Sequence, residues 1–338
     1  MELPNDLQTA LSSQTADINI KKLLDAAQNI SLRYRQRDNT DNIKAKHFIQ
    51  NDIEALAYAI SRMPATYGAV HSAIKYTLDE IDNQSIDSVV DIGAGTGAAV
   101  WATDELIDLD SVDSIVCVEY DSHMRNLGKA LMANASEPFK SAKWESLNIV
   151  DIGESMPFQA DLIIASYIMN ELDENIQLKI AEKLWCAAKK MLIFVETGTP
   201  DGYRLINKIR TKLLEQNAKI IAPCFHQNMC PVAEKESNWC HFTCRVQRNR
   251  LHKLAKGGDA PYEDEKYTYL ALAKSYKSCE NSANYGRILR HPQINKGHVR
   301  LDLCTKDGLK QAMYSKRDGD VYKSARKLNC GDKINLLD

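Results

Sequence analysis

The stretch Ser88-Val-Val-Asp-Ile-Gly-Ala-Gly-Thr-Gly97 decides the fold of this 338-residue chain. Its apolar start predicts a short buried strand that ends at Asp91. The three glycines that follow predict a tight turn into a helix over Ala98 to Leu109, because glycine takes backbone conformations closed to other residues and lets a ligand approach the main chain. A strand, a glycine turn and a helix in this order predict a nucleotide-binding α/β unit.

A second apolar run, from Ser114 to Glu119, supports that prediction. It ends in an acid about 22 residues beyond Gly97, where nucleotide-binding folds place a carboxylate that accepts hydrogen bonds from the ribose. The pattern is Asp-x-Gly-x-Gly-x-Gly rather than the Gly-x-Gly-x-x-Gly of NAD enzymes, and it resembles motif I of class I S-adenosylmethionine-dependent methyltransferases. The resemblance implies that Asp91 faces the amino end of the methionine and that Glu119 holds the ribose. A glycine turn without a ligand and an NAD site are the alternatives.

Two pairs of polar residues further along complete the predicted cofactor site. Asn148 and Asp151 lie where the adenine is usually held, and Asn170 and Glu171 are placed to line the pocket mouth. Each could equally cap a helix or lie in a solvated loop. The full set predicted to bind S-adenosylmethionine is Asp91, Gly93, Ala94, Gly95, Thr96, Gly97, Glu119, Asn148, Asp151, Asn170 and Glu171.

The composition is that of an ordinary globular protein, with 44% apolar and 26% charged residues. No apolar run approaches the roughly 18 residues needed to cross a bilayer, so we expect no membrane contact. The start, Met-Glu-Leu-Pro-Asn-Asp, lacks the basic region of a secretory signal. We therefore expect a cytoplasmic protein, and a monomer.

Charge is distributed unevenly along the chain. From Arg245 onward there are 20 Lys and Arg against 11 Asp and Glu, a balance of +9, whereas residues 1–244 carry 23 against 34, a balance of −11. A basic end on an acidic body predicts contact with a polyanion such as RNA. A solvated basic face is the alternative.

The order of apolar patterns predicts an α/β fold with a doubly wound sheet. We expect an N-terminal helical unit over 1–84, a methyltransferase-like core over 85–275 and a basic C-terminal β-unit over 285–338, whose antiparallel stretches would be His298–Cys304, Leu309–Ser315 and Val321–Leu328. Seven strands are expected in the core, near 88–92, 114–119, 142–148, 161–166, 191–196, 218–222 and 266–273. The fold predicted is the Rossmann-like class I methyltransferase fold.

Nine cysteines are many for a chain in a reducing compartment, where disulfides are rare. Cys224, Cys230 and Cys240 lie within 17 residues, in an insertion over 222–244. Thiols this close favour a metal, but both Zn²⁺ and a [4Fe–4S] cluster prefer four ligands. The candidates for a fourth are the thiols of Cys244, Cys279, Cys304 and Cys330 and, for zinc, the imidazoles of His226 and His241.

From about Met63 to Asp307 the chain resembles the Rsm-type ("Rsm twenty-two") family of methyltransferase-like factors associated with the small ribosomal subunit in bacteria and mitochondria. The stretches that carry the resemblance are Arg62–Tyr67, Asp91–Gly97, Ser166–Leu172, Glu196–Gly202, Ala222–Pro231, Trp239–Phe242, Glu263–Lys266 and His298–Gly308. The resemblance implies a [4Fe–4S] cluster held by Cys224, Cys230, Cys240 and Cys304, which would join the C-terminal β-unit to the core. Zinc is the alternative metal.

Two functions from different classes follow for this chain. One is an enzyme that methylates ribosomal RNA; the other is a non-catalytic assembly factor that docks on small-subunit RNA. Amino-methylating enzymes carry Asn/Asp-Pro-Pro-Tyr after strand four, where this chain has Ser166-Tyr-Ile-Met-Asn-Glu-Leu172, and no cysteine nucleophile follows strand four or five. The cofactor pocket is therefore well indicated, while the acceptor chemistry is not. A zinc-bearing small-molecule methyltransferase is a third possibility.

Overall fold

The computed structural model describes residues 1–37, 48–81, 85–104, 106–107, 111–233, 238–275 and 284–336. The end of the helix predicted to reach Leu109, and Cys279, lie outside the described residues. The chain forms two compact units. The first unit comprises Met1–His71, Ile86–Ile152 and Arg245–Glu265, and the second comprises Ser72–Ser85, Gly153–Cys244 and Lys266–Asp338. The predicted domain boundaries stay a prediction.

The helices follow the apolar stripes of the sequence. The Asn51 side chain caps α3 by accepting a hydrogen bond from the Glu54 N–H, and Pro64 is the second residue of α4, where its missing N–H costs nothing. None of the helices in the described residues is long and apolar enough to cross a membrane. The helices are α1 (Asn5–Thr15), α2 (Ile20–Arg37), α3 (Asp52–Ser61), α4 (Met63–Leu78), α5 (Ala98–Trp101), α6 (Ser122–Met132), α7 (Glu174–Ala187), α8 (Pro200–Leu214), α9 (Arg250–Lys256) and α10 (Gly319–Ala325).

The strands include all seven that the sequence predicts for the core. Their bounds are β1 (Ser88–Ile92), β2 (Ser114–Val118), β3 (Lys143–Glu145), β4 (Ala160–Ser166), β5 (Ala188–Thr197), β6 (Lys219–Ala222), β7 (Phe242–Gln247), β8 (Tyr262–Ala273), β9 (Tyr285–Ile288), β10 (Gln293–Asn295), β11 (His298–Thr305), β12 (Gly308–Ser315) and β13 (Lys333–Asn335). Sequence reasoning missed β7, β9, β10 and β13.

Each unit contains part of a doubly wound arrangement. In the first unit β1, β2 and β3 are parallel, in the order β3-β2-β1. In the second unit β4 and β5 are parallel, and β8 runs antiparallel between β5 and β6. A parallel set followed by one reversed strand is the pattern of a class I methyltransferase-like α/β fold. The predicted fold class is confirmed in this coarser sense, without the cluster.

The C-terminal part of the second unit forms an antiparallel sheet in the order β10-β11-β9-β13, with β12 paired to β11. Two of the three predicted stretches are strands, but the third, Val321–Leu328, is wrong: the chain forms α10 there. Tyr322 and Ala325 are both buried with the apolar face of this sheet. They lie three residues apart, which puts both on one face of a helix.

The helix predicted to begin at Ala98 is also shorter than expected. It ends at Trp101. The Thr103 side chain donates a 2.7 Å hydrogen bond to the Val100 carbonyl, and the Thr103 N–H donates to the same oxygen. Both bonds go to the Val100 carbonyl, which would otherwise accept the next helical hydrogen bond. The α-helix therefore ends in tighter turns.

Candidate functional site

The glycine loop (residues 93–97) connects β1 to α5 in the first unit. Gly93, Gly95 and Gly97 have φ angles of 66°, 57° and 88°, in the left-handed region that side chains disfavour. At Gly97 a Cβ would also lie 2.5 Å from the terminal methyl of Met132. The backbone conformation therefore favours glycine there, whereas the Met132 methyl ends a flexible side chain that can shift.

Glu119 is held against this loop by two main-chain donors. The Gly95 N–H donates to Glu119 Oε2 at 2.8 Å, and the Asp121 N–H donates to Oε1 at 2.7 Å. Burial raises the pKa of Glu119, and these two hydrogen bonds oppose the rise. Since each carboxylate oxygen has a second lone pair, both oxygens can still accept a hydrogen bond from a ligand hydroxyl.

Asp91 is fully buried at the end of β1. Neither of its carboxyl oxygens has a hydrogen-bond partner among the described residues. Burial, and then repulsion from Glu119, raises the pKa of Asp91 to about 8. Buried polar groups are nearly always partnered, and one that is not suggests a missing ligand. A cationic ammonium group would satisfy this carboxyl.

Two other loop residues are bonded to the protein itself. The Ala94 N–H donates to the Val118 carbonyl at 3.0 Å. Thr96 is buried, and its hydroxyl lies 3.3 Å from the Met63 sulfur, to which it donates. These contacts fix the shape of the loop, and a part for either residue in cofactor binding stays a prediction.

Asn148 and Asp151 form a small capping unit after β3. Asn148 Oδ1 accepts from the Val150 N–H at 3.2 Å, and its amide nitrogen donates to Asp151 Oδ2 at 2.9 Å. Asn148 is therefore the N-cap of the short 3₁₀ turn Ile149–Asp151. The capping alternative raised by the sequence is observed, and a contact with adenine is a prediction that it does not exclude.

Asn170 lies after β4 in the second unit and is oriented by a buried acid. Glu196 Oε1 accepts from the Met169 and Asn170 N–H groups, and Oε2 accepts from the Asn170 side-chain amide at 2.6 Å. Burial, opposed by these bonds and reinforced by Glu171, raises the pKa of Glu196 to about 8. Sequence reasoning missed this role for Glu196, because its partners are 26 and 27 residues away along the chain.

Tyr167, at the end of β4, has a φ of 57°. A bulky residue in the left-handed region is a strained exception, and such strain gathers at functional sites. Its N–H donates to the Val195 carbonyl at 2.8 Å, which holds the turn in place. The segment from Tyr167 to Glu171 is therefore a well-defined turn that hydrogen bonds hold in place.

The four-thiol set (Cys224, Cys230, Cys240 and Cys304) lies within the second unit. All four are free thiols. Burial, then the charges of Cys230, Cys224 and Cys304, raises the pKa of Cys240, and burial, then Cys224 and Cys230, raises the pKa of Cys304. The four thiols thus lie close enough to act on one another, although Cys304 is 64 residues from Cys240.

Polar side chains lie beside three of these sulfurs. The Tyr203 hydroxyl donates to Cys230 at 3.3 Å, and His226 Nε2 lies 3.9 Å from the Cys304 sulfur. The positive charge of Arg210 opposes the rise in the pKa of Cys224 that burial causes. Donors of this kind stabilise sulfur in its anionic form. Burial nevertheless raises the pKas of Cys224, Cys240 and Cys304, so without a bound cation the environment favours the neutral thiols.

The remaining cysteines have other surroundings. Cys330 donates to the Leu289 carbonyl at 3.4 Å, and Cys244 is a buried residue of β7. His241 stacks on Trp239 with ring centroids 5.1 Å apart. As the side chains stand, no three His, Cys, Asp or Glu residues in the described ranges are arranged so that they could hold a metal ion.

Comparison with known proteins places the chain in a family. A family model described as "Mitochondrial small ribosomal subunit Rsm22" matches residues 52–335. Rsm22-cox11 tandem proteins 1 and 2 of Schizosaccharomyces pombe, both mitochondrial, are each 25% identical over 343 residues, which cover 84% of this chain and 43% of theirs. The chain therefore spans less than half the length of these relatives.

Solved structures give a weaker likeness. A magnesium protoporphyrin IX methyltransferase from Synechocystis, with bound S-adenosylmethionine, has a TM-score of 0.38 at 11% identity, covering 77% of this chain and 99% of its own. A methyltransferase from Aquifex aeolicus has a TM-score of 0.40 at 11% identity, covering 67% and 100%. Likeness at this level says nothing of what this chain binds. The family match, in contrast, spans most of the sequence, and with it the predicted family is confirmed: the chain belongs to the Rsm22 family.

Proposed function

We propose that this protein binds S-adenosylmethionine at the glycine loop, carries a [4Fe–4S] cluster on the four-thiol set and acts on the small ribosomal subunit. The observation that carries the cofactor proposal is Asp91. A buried carboxyl with no partner is costly unless a ligand satisfies it, and the amino group of S-adenosylmethionine would do so. Glu119 would accept hydrogen bonds from the ribose, as the family resemblance implies.

We propose that the four-thiol set holds a cluster rather than a single zinc ion. Four thiolates around one Zn²⁺ each lie about 2.3 Å from the metal, which brings the sulfurs into van der Waals contact. In a [4Fe–4S] cluster each cysteine binds a different iron atom, so the sulfurs lie further apart. The family resemblance implies the cluster, and the electrostatic causes of the raised Cys240 pKa indicate only that the four thiols lie near one another. When bound, the cluster would link Cys304 of β11 to Cys224, Cys230 and Cys240.

The substrate proposal comes from the family and from charge. The description of the family names the mitochondrial small ribosomal subunit. The chain from Arg245 onward carries a net charge of +9. Positive charge gives RNA affinity without sequence specificity. We propose this function for either location, in mitochondria as for the relatives or in the cytoplasm as the sequence predicts.

Methyl transfer to ribosomal RNA is the first form of this function, and a non-catalytic assembly factor is the second. One observation favours the second form. Asn170 lies in the segment after β4, where amino-methylating enzymes carry their acceptor motif, but its side-chain amide already donates to Glu196. Incubation of small subunits lacking this protein with labelled S-adenosylmethionine distinguishes the two. Label in RNA that is lost with Asp91→Ala supports the enzyme, whereas tight subunit binding without label supports the assembly factor.

A matched measurement tests the cluster. The purified protein is assayed under anaerobic conditions for iron and sulfide, with about four of each expected per chain. Zinc without sulfide would refute the cluster and support the metal alternative.

A further inference from the structure

The antiparallel sheet in the C-terminal part of the second unit has one face open to solvent. Val299, Leu301 and Leu303 of β11 lie on its other face, in an apolar core with residues of α10. Arg300 and Asp302 alternate with them and therefore lie on the opposite face. Arg300 is exposed and Asp302 is half-buried. We call this second side of β10, β11 and β12 the open face.

The strand register shows which other side chains share the open face. Directly paired residues of antiparallel strands lie on the same face. Arg300 is paired with Gln293 of β10 and with Met313 of β12, and Met313 is 68% exposed. Further along β11 on this side, Cys304 is buried, which ends the open part. The side chains that the register places there include three amides, a histidine, an arginine and a thioether: Gln293, Asn295, Gln311, His298, Arg300 and Met313.

Negative charge is scarce on the open face. Asp302 is the one acid among the described residues that the three strands place there. It accepts a 2.8 Å hydrogen bond from the Gln311 side chain. Arg300 forms no hydrogen bond or ion pair with the described residues, so its guanidinium is available to a ligand.

Three exposed cations border the open face at one end. Lys296 lies in the turn between β10 and β11, and Lys316 and Arg317 follow β12 directly. The Lys316 N–H donates to the Gly297 carbonyl at 3.0 Å, so the two segments meet. With Asp318 beside them, three cations and one acid leave this end with a net charge of +2.

We propose that the open face docks single-stranded RNA of the small ribosomal subunit, a partner that follows from the function proposed above. Charge complementarity supports a polyanion, since residues 284–336 contain 12 Lys and Arg against 5 Asp and Glu, a net charge of +7. Lys296, Lys316 and Arg317 would hold phosphates. The amides and Arg300 support unpaired bases, because amides bind base edges and a guanidinium plane stacks on base faces that a duplex conceals.

The size of the open face fits a short run of unpaired nucleotides. Adjacent strands lie about 4.8 Å apart, so the three strands span about 10 Å. Along β11, the four steps from His298 to Asp302 cover about 13 Å. Four-stranded RNA-binding sheets stack about two or three bases, and this smaller face would hold about two.

RNA binding by the full chain tests the proposal. The probe is a labelled single-stranded RNA of mixed sequence, about a dozen nucleotides long, and fluorescence anisotropy gives the Kd of each variant. We expect Arg300→Met to weaken binding about tenfold, as the loss of one stacked base does. Arg326→Met is the matched control, since it removes the same charge from an exposed arginine at the end of α10, the helix on the covered face. It should leave the Kd close to the parent value, and both variants should keep the parent thermal unfolding midpoint.

Three results would overturn the proposal. Equal losses in the two variants would mean that the net charge of this part of the chain attracts RNA without the open face. Tighter binding of a duplex of the same sequence would exclude unpaired bases as the ligand. Ultraviolet cross-links between the probe and the protein should fall within residues 293–317, and cross-links found only elsewhere would place the RNA on another surface.

Binding of the parent chain to small ribosomal subunits is measured in parallel. A parent that binds subunits but no free RNA, with subunit binding weakened by Arg300→Met, would assign the open face to a ribosomal protein and refute the RNA contact alone. A parent that binds no subunits refutes the proposed function, and with it the partner named for this face.

Discussion

Asp91→Asn is the substitution that tests the cofactor site most directly. It replaces the buried carboxyl by a neutral group of the same shape, and its effect follows from proton linkage. The pKa of Asp91 is about 8 in the folded protein and 3.8 when unperturbed. Between these values the folded state holds a proton that the unfolded state has lost. The free energy of unfolding therefore falls as pH rises from about 4 to about 8.

The magnitude follows from the size of the shift. Each pH unit inside the window costs about 1.4 kcal/mol, so the carboxyl lowers the free energy of unfolding by about 4 kcal/mol at pH 7 relative to pH 4. The asparagine does not titrate. Its buried amide still lacks a partner and costs about 1–3 kcal/mol, but that cost is the same at every pH. The difference between Asp91→Asn and the parent should therefore shift by about 3 kcal/mol in favour of the variant from pH 5 to pH 7.

Urea unfolding without cofactor at pH 5, 6, 7 and 8 measures this difference, with exposed Asp113→Asn as the matched control. Calorimetric titration of S-adenosylmethionine over the same range is the companion measurement. If the ammonium group binds ionised Asp91, the affinity of the parent should fall about tenfold per pH unit below 8, and that dependence should vanish in Asp91→Asn. Parallel pH profiles for parent and variant would show that Asp91 is not the titrating group and would refute the reasoning.

Three further substitutions test other parts of the molecule. Cys304→Ser should lose most of the bound iron, because one of the four proposed thiolate ligands is gone. The control Cys186→Ser, at an exposed cysteine, should retain its iron. Equal iron contents in the two variants would show that Cys304 is not a ligand. Arg287→Met should lower the free energy of unfolding by about 3 kcal/mol, since it breaks the buried ion pair with Glu80 and leaves the partly exposed Lys333 beside that acid. Urea unfolding of the single and double variants with Glu80→Gln should show a smaller loss in the double variant. Asn217 is exposed and has a φ of 61°, so Asn217→Gly should leave the free energy of unfolding nearly unchanged. Asn217→Val should lower it by about 1–2 kcal/mol, because a β-branched residue is strained there. A higher thermal unfolding midpoint for the valine variant than for the glycine variant would contradict this.

The glycine loop shows how far local pattern reaches. Three glycines after an apolar strand predicted a turn, and each has the positive φ that requires glycine. The seven core strands were likewise predictable, because buried strands are short apolar runs between turn signals. In the C-terminal part the strand predicted at Val321–Leu328 was wrong. In so short a stretch, the spacing of apolar residues along a helix is hard to distinguish from the alternation of a strand.

The candidate site was predictable in part. Asp91 and Glu119 could be named from spacing, but the lack of any partner for Asp91 could not, because it depends on which donors the fold leaves out of reach. Glu196 was missed for the same reason. Its role rests on hydrogen bonds to residues that are distant in the chain.

The amino-acid sequence by itself determined the family, the seven core strands and the identity of the candidate ligands, since these depend on local spacing and residue type. Only the tertiary structure decided which of them meet. Cys304 lies close enough to Cys240 to raise its pKa because β11 brings it back to the 222–244 segment. Likewise, the Tyr203 hydroxyl of α8 lies 3.3 Å from the Cys230 sulfur. Burial and pairing of charge are properties of three-dimensional contact. A buried carboxyl that lacks a partner among the described residues, such as Asp91, therefore becomes visible only when the chain is folded.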